Sequence, residues 1–199
     1  MIKAGITGGI GSGKTTFCKE WEKLGAVVLY ADDFAKQLMQ EDEELQKKIK
    51  QVFGEESYDA DGNLNRSFLA REAFQKGRVK ELNNLVHPVL WKRADELAQI
   101  KEQDGVKVFA KEAAILLSNG RPEDLDYVII VTADEQERIE RTSERDDATG
   151  QEIRDRMAQQ PDFESLAHLA DYVVVNNGSK DELREKAAQI LKEIRMVAD

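Results

Sequence analysis

A single cysteine, Cys18, leaves this chain without a partner for an intrachain disulfide, and its place among apolar helical residues reads as packing. No run approaches the roughly 18 apolar residues that a membrane span requires, so no membrane partner is expected. The apolar stretch at the start is broken by glycines within a few residues, which argues against a secretory leader there. The expectation is a soluble, cytoplasmic protein. A basic excess is missing too: 29 Lys and Arg stand against 39 Asp and Glu, a net charge of −10. A nucleic-acid partner would call for the opposite sign. Internal repeats and low-complexity tracts are absent. What is present is 41% hydrophobic residues in 199, enough to bury a core, under a surface supplied by 34% charged ones. That length suits one α/β domain with an insertion.

The most informative stretch is Gly8-Gly9-Ile10-Gly11-Ser12-Gly13-Lys14-Thr15, which fits G-x-x-x-x-G-K-[ST] at every fixed position. Before it, Ile2 to Thr7 is short and β-leaning; after it, Phe17, Trp21 and Leu24 recur at helical spacing until Gly25. Strand, glycine loop and helix are the context a phosphate-binding loop needs. Backbone N–H groups turn inward, and the helix adds the positive end of its dipole. In that role Lys14 reaches the terminal phosphates and the Thr15 hydroxyl takes Mg²⁺. The pattern predicts a nucleoside triphosphate site.

Further strands are expected at Ala26–Tyr30, at Val106–Ala110 closing on Glu112, at Tyr127–Val131 and at Tyr172–Val175. The run from Tyr127 has the unbroken apolar character of a strand buried on both faces. In an open parallel sheet, ligands gather beyond the carboxyl ends of strands, so Asp32 and Asp33 after the second strand are site candidates. One of them also suits a helix N-cap. Phe34, Leu38, Leu45, Ile49, Val52 and Phe53 predict an amphipathic helical region that stops at Gly54. Asp59 to Asn63 is a turn by composition, without the spacing of a calcium loop. From Leu64 to Leu97 the apolar positions, Phe74 among them, predict consecutive helices with a boundary at His87-Pro88. These about 40 residues interrupt the βα alternation and read as a helical insertion where an acceptor could be held. His87, one of two histidines, reads on spacing alone as packed or capping.

Arg138, Arg141 and Arg145 fall on one face of the helix after the fourth strand, with Glu137, Glu140 and Glu144 available to balance them. A break at Asp146 to Gly150 and a second basic helix with Arg154 and Arg156 follow. Arginines flanking such a loop suit a lid that clamps a transferring phosphoryl group. Past the last strand, Ser179 and Glu182 are spaced as a capping box, and Leu183, Ala187, Ile190, Leu191 and Ile194 form the inner stripe of a final helix.

A phosphate loop serves switches, motors and kinases alike. The guanine motif N-K-x-D of a GTPase switch is absent, and neither D-x-x-G, at Asp59–Gly62 or Asp147–Gly150, follows a buried strand. The acid that closes an apolar strand in motor ATPases has only loose candidates, Glu112 and Asp134. A short chain with an acceptor-side insertion and an arginine-bearing lid describes a small-molecule kinase. A kinase of another small acceptor, such as a nucleoside monophosphate or an alcohol, shares these parts; an ATP-dependent binding module is the remaining class.

Nearly end to end, the chain resembles the dephospho-CoA kinase family. The resemblance lies in Thr7 to Thr16, Ala31-Asp32, Asp61 to Leu64 with Arg66, Leu69 and Phe74, and His87-Pro88. It continues through Arg141 with Arg145-Asp146 and Ala170 to Val173 with Asn176 and Gly178. Two departures stand out. Tyr30-Ala31-Asp32 keeps one acid of the family's frequent Asp-Ala-Asp. Ala114-Ile115-Leu116-Leu117-Ser118 lacks the glutamate of its Pro-Leu-Leu-x-Glu, although Glu112 lies nearby.

The resemblance implies an α/β P-loop NTPase fold, a five-stranded parallel sheet flanked by helices. It implies a core at 1–56, 106–135 and 165–199, an acceptor region at 57–105 and a lid at 136–164. ATP and Mg²⁺ are the implied co-substrate and ion, and dephospho-CoA the acceptor, phosphorylated on its ribose 3′-hydroxyl. Gly11, Ser12, Gly13, Lys14, Thr15 and Thr16 would hold the ATP phosphates, with Thr15 on the metal. Asp32 would face the acceptor hydroxyl, Arg66 and His87 the CoA moiety. Arg141 and Arg145 would belong to the lid, and Asn176 to Gly178 would border the adenine. Oligomeric state is left open.

Overall fold

The computed structural model describes residues 1–198, apart from the side chains of Phe74 and Ala198; the apolar position expected at Phe74 lies outside the described side chains. Contacts divide the chain into two compact units, Ala31–Ile100 and the remainder. The sequence division places residues up to 56 with the core, whereas the helices that begin at Ala31 cluster with those that follow them.

The first unit is built on β1 (Ile2–Thr7), β2 (Val27–Tyr30), β3 (Val108–Glu112), β4 (Tyr127–Thr132) and β5 (Tyr172–Val175). All pairings are parallel, in the order β2-β3-β1-β4-β5. The expected five-stranded parallel sheet is therefore present; β3 starts two residues later than expected, because the Val106 N–H turns back to the Lys101 carbonyl. Strand side chains alternate between faces, and both faces are filled. On one side Ile2, Ala4, Ile6, Val108, Ala110, Ile129, Val131 and Val174 form a single cluster with α1 (Lys14–Lys23) and α8 (Lys180–Ala198). Phe17, Cys18 and Trp21 enter it from α1, and Leu183, Ala187, Ile190, Leu191 and Ile194 from α8. The buried Trp21 indole N–H donates to the Ala187 carbonyl at 2.8 Å, so the largest side chain of the cluster leaves no polar atom stranded. Burial pushes the Cys18 thiol far above its ordinary range, in keeping with a packing role. On the opposite face Leu116 and Leu125 pack directly onto Gly5, where an added Cβ would force their methyl groups to shift.

Ser179 Oγ accepts from the Glu182 N–H at 3.2 Å, giving the forward half of the expected capping box. Two further helices of this unit, α6 (Glu135–Asp146) and α7 (Gly150–Ala158), are separated by Asp147 in the left-handed conformation (φ 52°). Thr149 opens α7 with a complete capping box to Glu152.

The second unit is helical. The amphipathic region expected after β2 is two helices, α2 (Ala31–Glu41) and α3 (Glu43–Phe53). Asp42 divides them, because its carboxylate accepts from the Leu45 N–H and caps α3. Arg93 holds the other oxygen of that carboxylate at 2.9 Å, and the two contacts keep Asp42 below its ordinary pKa, the Leu45 N–H contributing most. Asp32 and Asp33 stand in the first turn of α2, where their charge favours the dipole, instead of at an N-cap. The turn at Asp59 is as expected: its Oδ1 accepts from the Asp61 and Asn63 N–H groups. A short α4 (Arg66–Ala70), capped by Asn65, passes into one π turn over Arg71–Gln75.

The boundary expected at His87-Pro88 is not one. Helix α5 runs unbroken over Val79–Gln103, with Pro88 inside it. Val86, Leu90, Ala94 and Ala98 stay buried on one face across the proline, and that continuous stripe outweighs one missing N–H donor. Pro88 itself is exposed, so the orphaned Asn84 carbonyl can be met by water. Pro88→Ala should restore that bond and raise unfolding stability by roughly 1–3 kcal/mol in urea denaturation. A loss of stability would show that the surrounding helix is shaped to the ring.

Candidate active site

The end of β1 leads into the glycine loop. Its backbone turns through Gly11 (φ 75°) and Gly13 (φ 99°), a region L side chains avoid. Space forbids them as well: a Cβ on Gly11 would press into the Arg138 carbonyl and lie 2.7 Å from Thr142 Oγ1, and one on Gly13 would collide with the Asn176 amide. Gly13 serves as N-cap of α1 without a side-chain bond, so the first N–H groups of that helix open toward the loop. Ser12 is fully buried in the turn, Thr16 half-buried, and Thr15 exposed at the start of the helix.

Lys14 Nζ donates to the carbonyls of Gly8 at 2.7 Å and Gly9 at 3.2 Å. Glu112 Oε1 lies 4.0 Å from the same nitrogen, and both side chains are largely buried. The parallel register explains this neighbour: Ile6, two residues before Gly8, pairs with Glu112 at the carboxyl end of β3. Glu112 was only a loose candidate in the sequence; the sheet makes it the acid beside the loop lysine. Among the described residues no group of three or more His, Cys, Asp or Glu is arranged to hold a metal ion.

The loop is held from outside by other elements. Buried Asn176, following β5, donates its amide to the Ser12 carbonyl at 2.8 Å. Arg141 of α6 donates to the carbonyls of Asn176 at 2.8 Å and Gly178 at 3.4 Å, and to Glu137 at 2.8 Å. Arg138, one turn earlier, donates from Nε to the Ile10 carbonyl at 2.9 Å, and the Ile10 N–H donates to Gln160 Oε1 at 2.8 Å. Arg138 and Gln160 line a cleft of about 670 Å³ together with Thr132, Asp134, Met157 and Phe163. Burial lowers the Arg138 pKa, with Glu135 opposing.

The structure thus gathers Lys14, Arg141, Asn176 and Gly178 about the glycine loop and separates Arg145 from them. Arg145 pairs with the adjacent Asp146 at 2.6 Å, which Arg156 also reaches at 3.1 Å. The arginine face predicted for α6 is therefore three different environments, two of them directed at loops. Gln160 had no signal in the sequence, and Arg138 only its place among the arginines.

In the helical unit, Asp32 and Arg66 are exposed and His87 is half-buried. Burial lowers the His87 pKa from 6.5, and the Asp32 carboxylate, close enough to act on it, pulls the other way. The two residues are brought within electrostatic reach although 55 positions apart in the sequence. With a folded pKa below the unfolded one, the unfolded chain binds the extra proton as pH falls below 6.5, so this group's stabilisation is present above that pH and lost on acidification. His87→Gln should therefore lose less stability than the parent between about pH 7 and 5.5 in denaturation profiles. Parallel profiles would rule out a buried neutral imidazole.

The chain is similar to known proteins over nearly its whole length. A family model described as dephospho-CoA kinase matches residues 2–182. The chain is 40% identical over 191 residues to a dephospho-CoA kinase of Salinibacter ruber, covering 96% of each. It is 40% identical over 191 residues to one of Chlorobium luteolum, covering 94% of this chain and 87% of that protein. In three dimensions it is similar to the crystal structure of TT1252 from Thermus thermophilus, with a TM-score of 0.76 at 29% identity over 96% of this chain and 97% of that one.

Proposed function

The chain belongs to the dephospho-CoA kinase family, and from that premise we propose that it transfers the γ-phosphoryl group of ATP to the ribose 3′-hydroxyl of dephospho-CoA, giving coenzyme A. The single observation that carries a kinase reading into the structure is the Lys14 ammonium. It is held at the mouth of a glycine loop, beside Glu112 and against the carbonyls of Gly8 and Gly9. A kinase of a different small acceptor shares the loop, but the family match spans residues 2–182, the helical unit included.

In this reading the N–H groups from Gly11 to Thr16 cradle the ATP phosphates and Lys14 offsets charge on the transferring group. Arg141 and Arg145 are basic residues of a lid over 136–164, and Arg141 also ties that segment to the loop at Asn176–Gly178. Adenine is bordered by this loop, with the Asn176 amide serving the phosphate loop rather than the base. Asp32 orients the acceptor hydroxyl and receives its proton late, because phosphoryl transfer is largely dissociative and needs little early deprotonation. Arg66 and His87 serve the acceptor, in the region 57–105.

The donor set suits Mg²⁺ brought in with the triphosphate: a hard hydroxyl on exposed Thr15 and a carboxylate, Glu112, near the phosphate lysine, with no protein cage among the described residues. When bound, such an ion would supply positive charge against the triphosphate, held by Thr15 and Glu112. Glu112 would take the place of the family glutamate missing at Ser118. Among the described residues no helix is long and apolar enough to cross a membrane.

ADP release coupled to dephospho-CoA, with the product identified by mass, tests the reaction; turnover only with another acceptor would overturn it. Asp32→Asn should reduce kcat by at least about 100-fold with ATP affinity nearly intact. Wild-type turnover in that variant would remove Asp32 from the chemistry. Lys14→Ala should weaken ATP binding as well as kcat, and unchanged kinetics would take the loop lysine out of the mechanism.

A further inference from the structure

Three contacts fix the glycine loop from outside, and two of them meet at one residue. Ile10 donates its N–H to Gln160 and accepts Arg138 on its carbonyl, at 2.8 and 2.9 Å. These groups belong to successive peptide planes, so both torsions at Ile10 are set. In a trans peptide the N–H and C=O point to opposite sides. With the Ile10 N–H turned to Gln160, the Gly9 carbonyl of the same plane faces the other way. There it accepts from Lys14 Nζ and the Ser12 N–H, each at 3.2 Å. With the Ile10 carbonyl turned to Arg138, the Gly11 N–H likewise points away from that arginine. Gly9 and Gly11 offer little resistance of their own to rotating these planes, since glycine is permissive on either side of φ = 0.

We propose that Gln160 is a positioning residue for ATP. Its side-chain oxygen locks the peptide between Gly9 and Ile10, and through the Gly9 carbonyl it sets the Lys14 ammonium. Arg138 locks the next plane. The proposal rests on the reading that this loop holds the ATP phosphates. It makes the segment after α7 part of the nucleotide site without touching the nucleotide: a displacement of Gln160 is felt as a rotation of loop peptides.

The test is a pair of substitutions of similar length. Gln160→Met removes the acceptor; Gln160→Glu keeps one. Titration calorimetry with ATP and Mg²⁺, without acceptor, should show affinity reduced about 5- to 10-fold for the first, as expected for one lost hydrogen bond, and largely restored in the second. In steady state KM for ATP should rise in Gln160→Met while KM for dephospho-CoA and the melting temperature stay at parent values, because Gln160 is half-buried and contributes little packing. Unchanged ATP affinity in Gln160→Met would overturn the proposal. So would failure of Gln160→Glu to recover it, or a parallel loss of thermal stability and of affinity for both substrates, which marks general loosening. Should the parent protein fail to phosphorylate dephospho-CoA, the assignment of the reaction falls, while the calorimetric comparison still decides the role of Gln160.

Discussion

A phosphate loop has almost no side chains with which to hold its own shape, and here that shape depends on hydrogen bonds from remote parts of the chain. Asn176 fixes the Ser12 carbonyl, Arg138 the Ile10 carbonyl and Gln160 the Ile10 N–H, from positions 164, 128 and 150 residues away. Each spends a polar group that would be costly to bury unpaired. The glycines that let the backbone turn are also what lets α6 and the loop after β5 come this close, since side chains at Gly11 or Gly13 would meet them. Turn conformation and close approach are thus one constraint, and the order of strands supplies the groups that meet it. With β1 central, both β3 and β4 deliver groups to the loop, Glu112 from one side and α6 from the other.

Most of the fold was legible because its signals were local. The glycine motif, the apolar run of β4 and the inner stripe of α8 are written in residues a few positions apart, and each lies where its pattern put it. Failures occurred where a local rule met tertiary packing. Pro88 should have ended a helix, but a buried stripe from Val86 to Ala98 carried α5 through it. An apolar period continued across Asp42, yet that residue's cap on Leu45 broke the helix in two. In the first case burial outweighed backbone chemistry; in the second a single hydrogen-bonding side chain sufficed.

The site was legible in part for the same reason. Lys14 and its glycines announce themselves by spacing, whereas Glu112 acquires meaning only through the register that pairs Ile6 with it. The three arginines of α6 share a face in the sequence and separate in the structure: Arg138 goes to Ile10, Arg141 to Asn176 and Gly178, and Arg145 to its neighbour Asp146. Helical periodicity says which way a side chain leaves its helix; what it finds there is a property of the other elements. Gln160 is the extreme case, an uncharged residue in an irregular segment whose partner is a backbone N–H. No residue type or spacing foretells such a contact.

The net charge of −10 poses a last question, since ATP and dephospho-CoA are both anions. Ionic screening confines the effect of most surface carboxylates to about 8 Å at physiological salt, so the overall charge governs solubility more than it governs this site. Near the loop the balance is different. Arg138, Arg141 and Lys14 converge there with the N–H groups at the start of α1, and of the nearby acids Glu137 is held by Arg141 and Glu112 lies beside Lys14. An acidic chain can therefore bind a polyanion, provided its few relevant cations are fixed in place. Fixing them is the work of carbonyls: the Gly8 and Gly9 oxygens hold Lys14, the Ile10 oxygen Arg138, and the Asn176 and Gly178 oxygens Arg141. The backbone whose N–H groups open at the start of α1 also sets the positive side chains, so one folded loop region specifies both halves of the field.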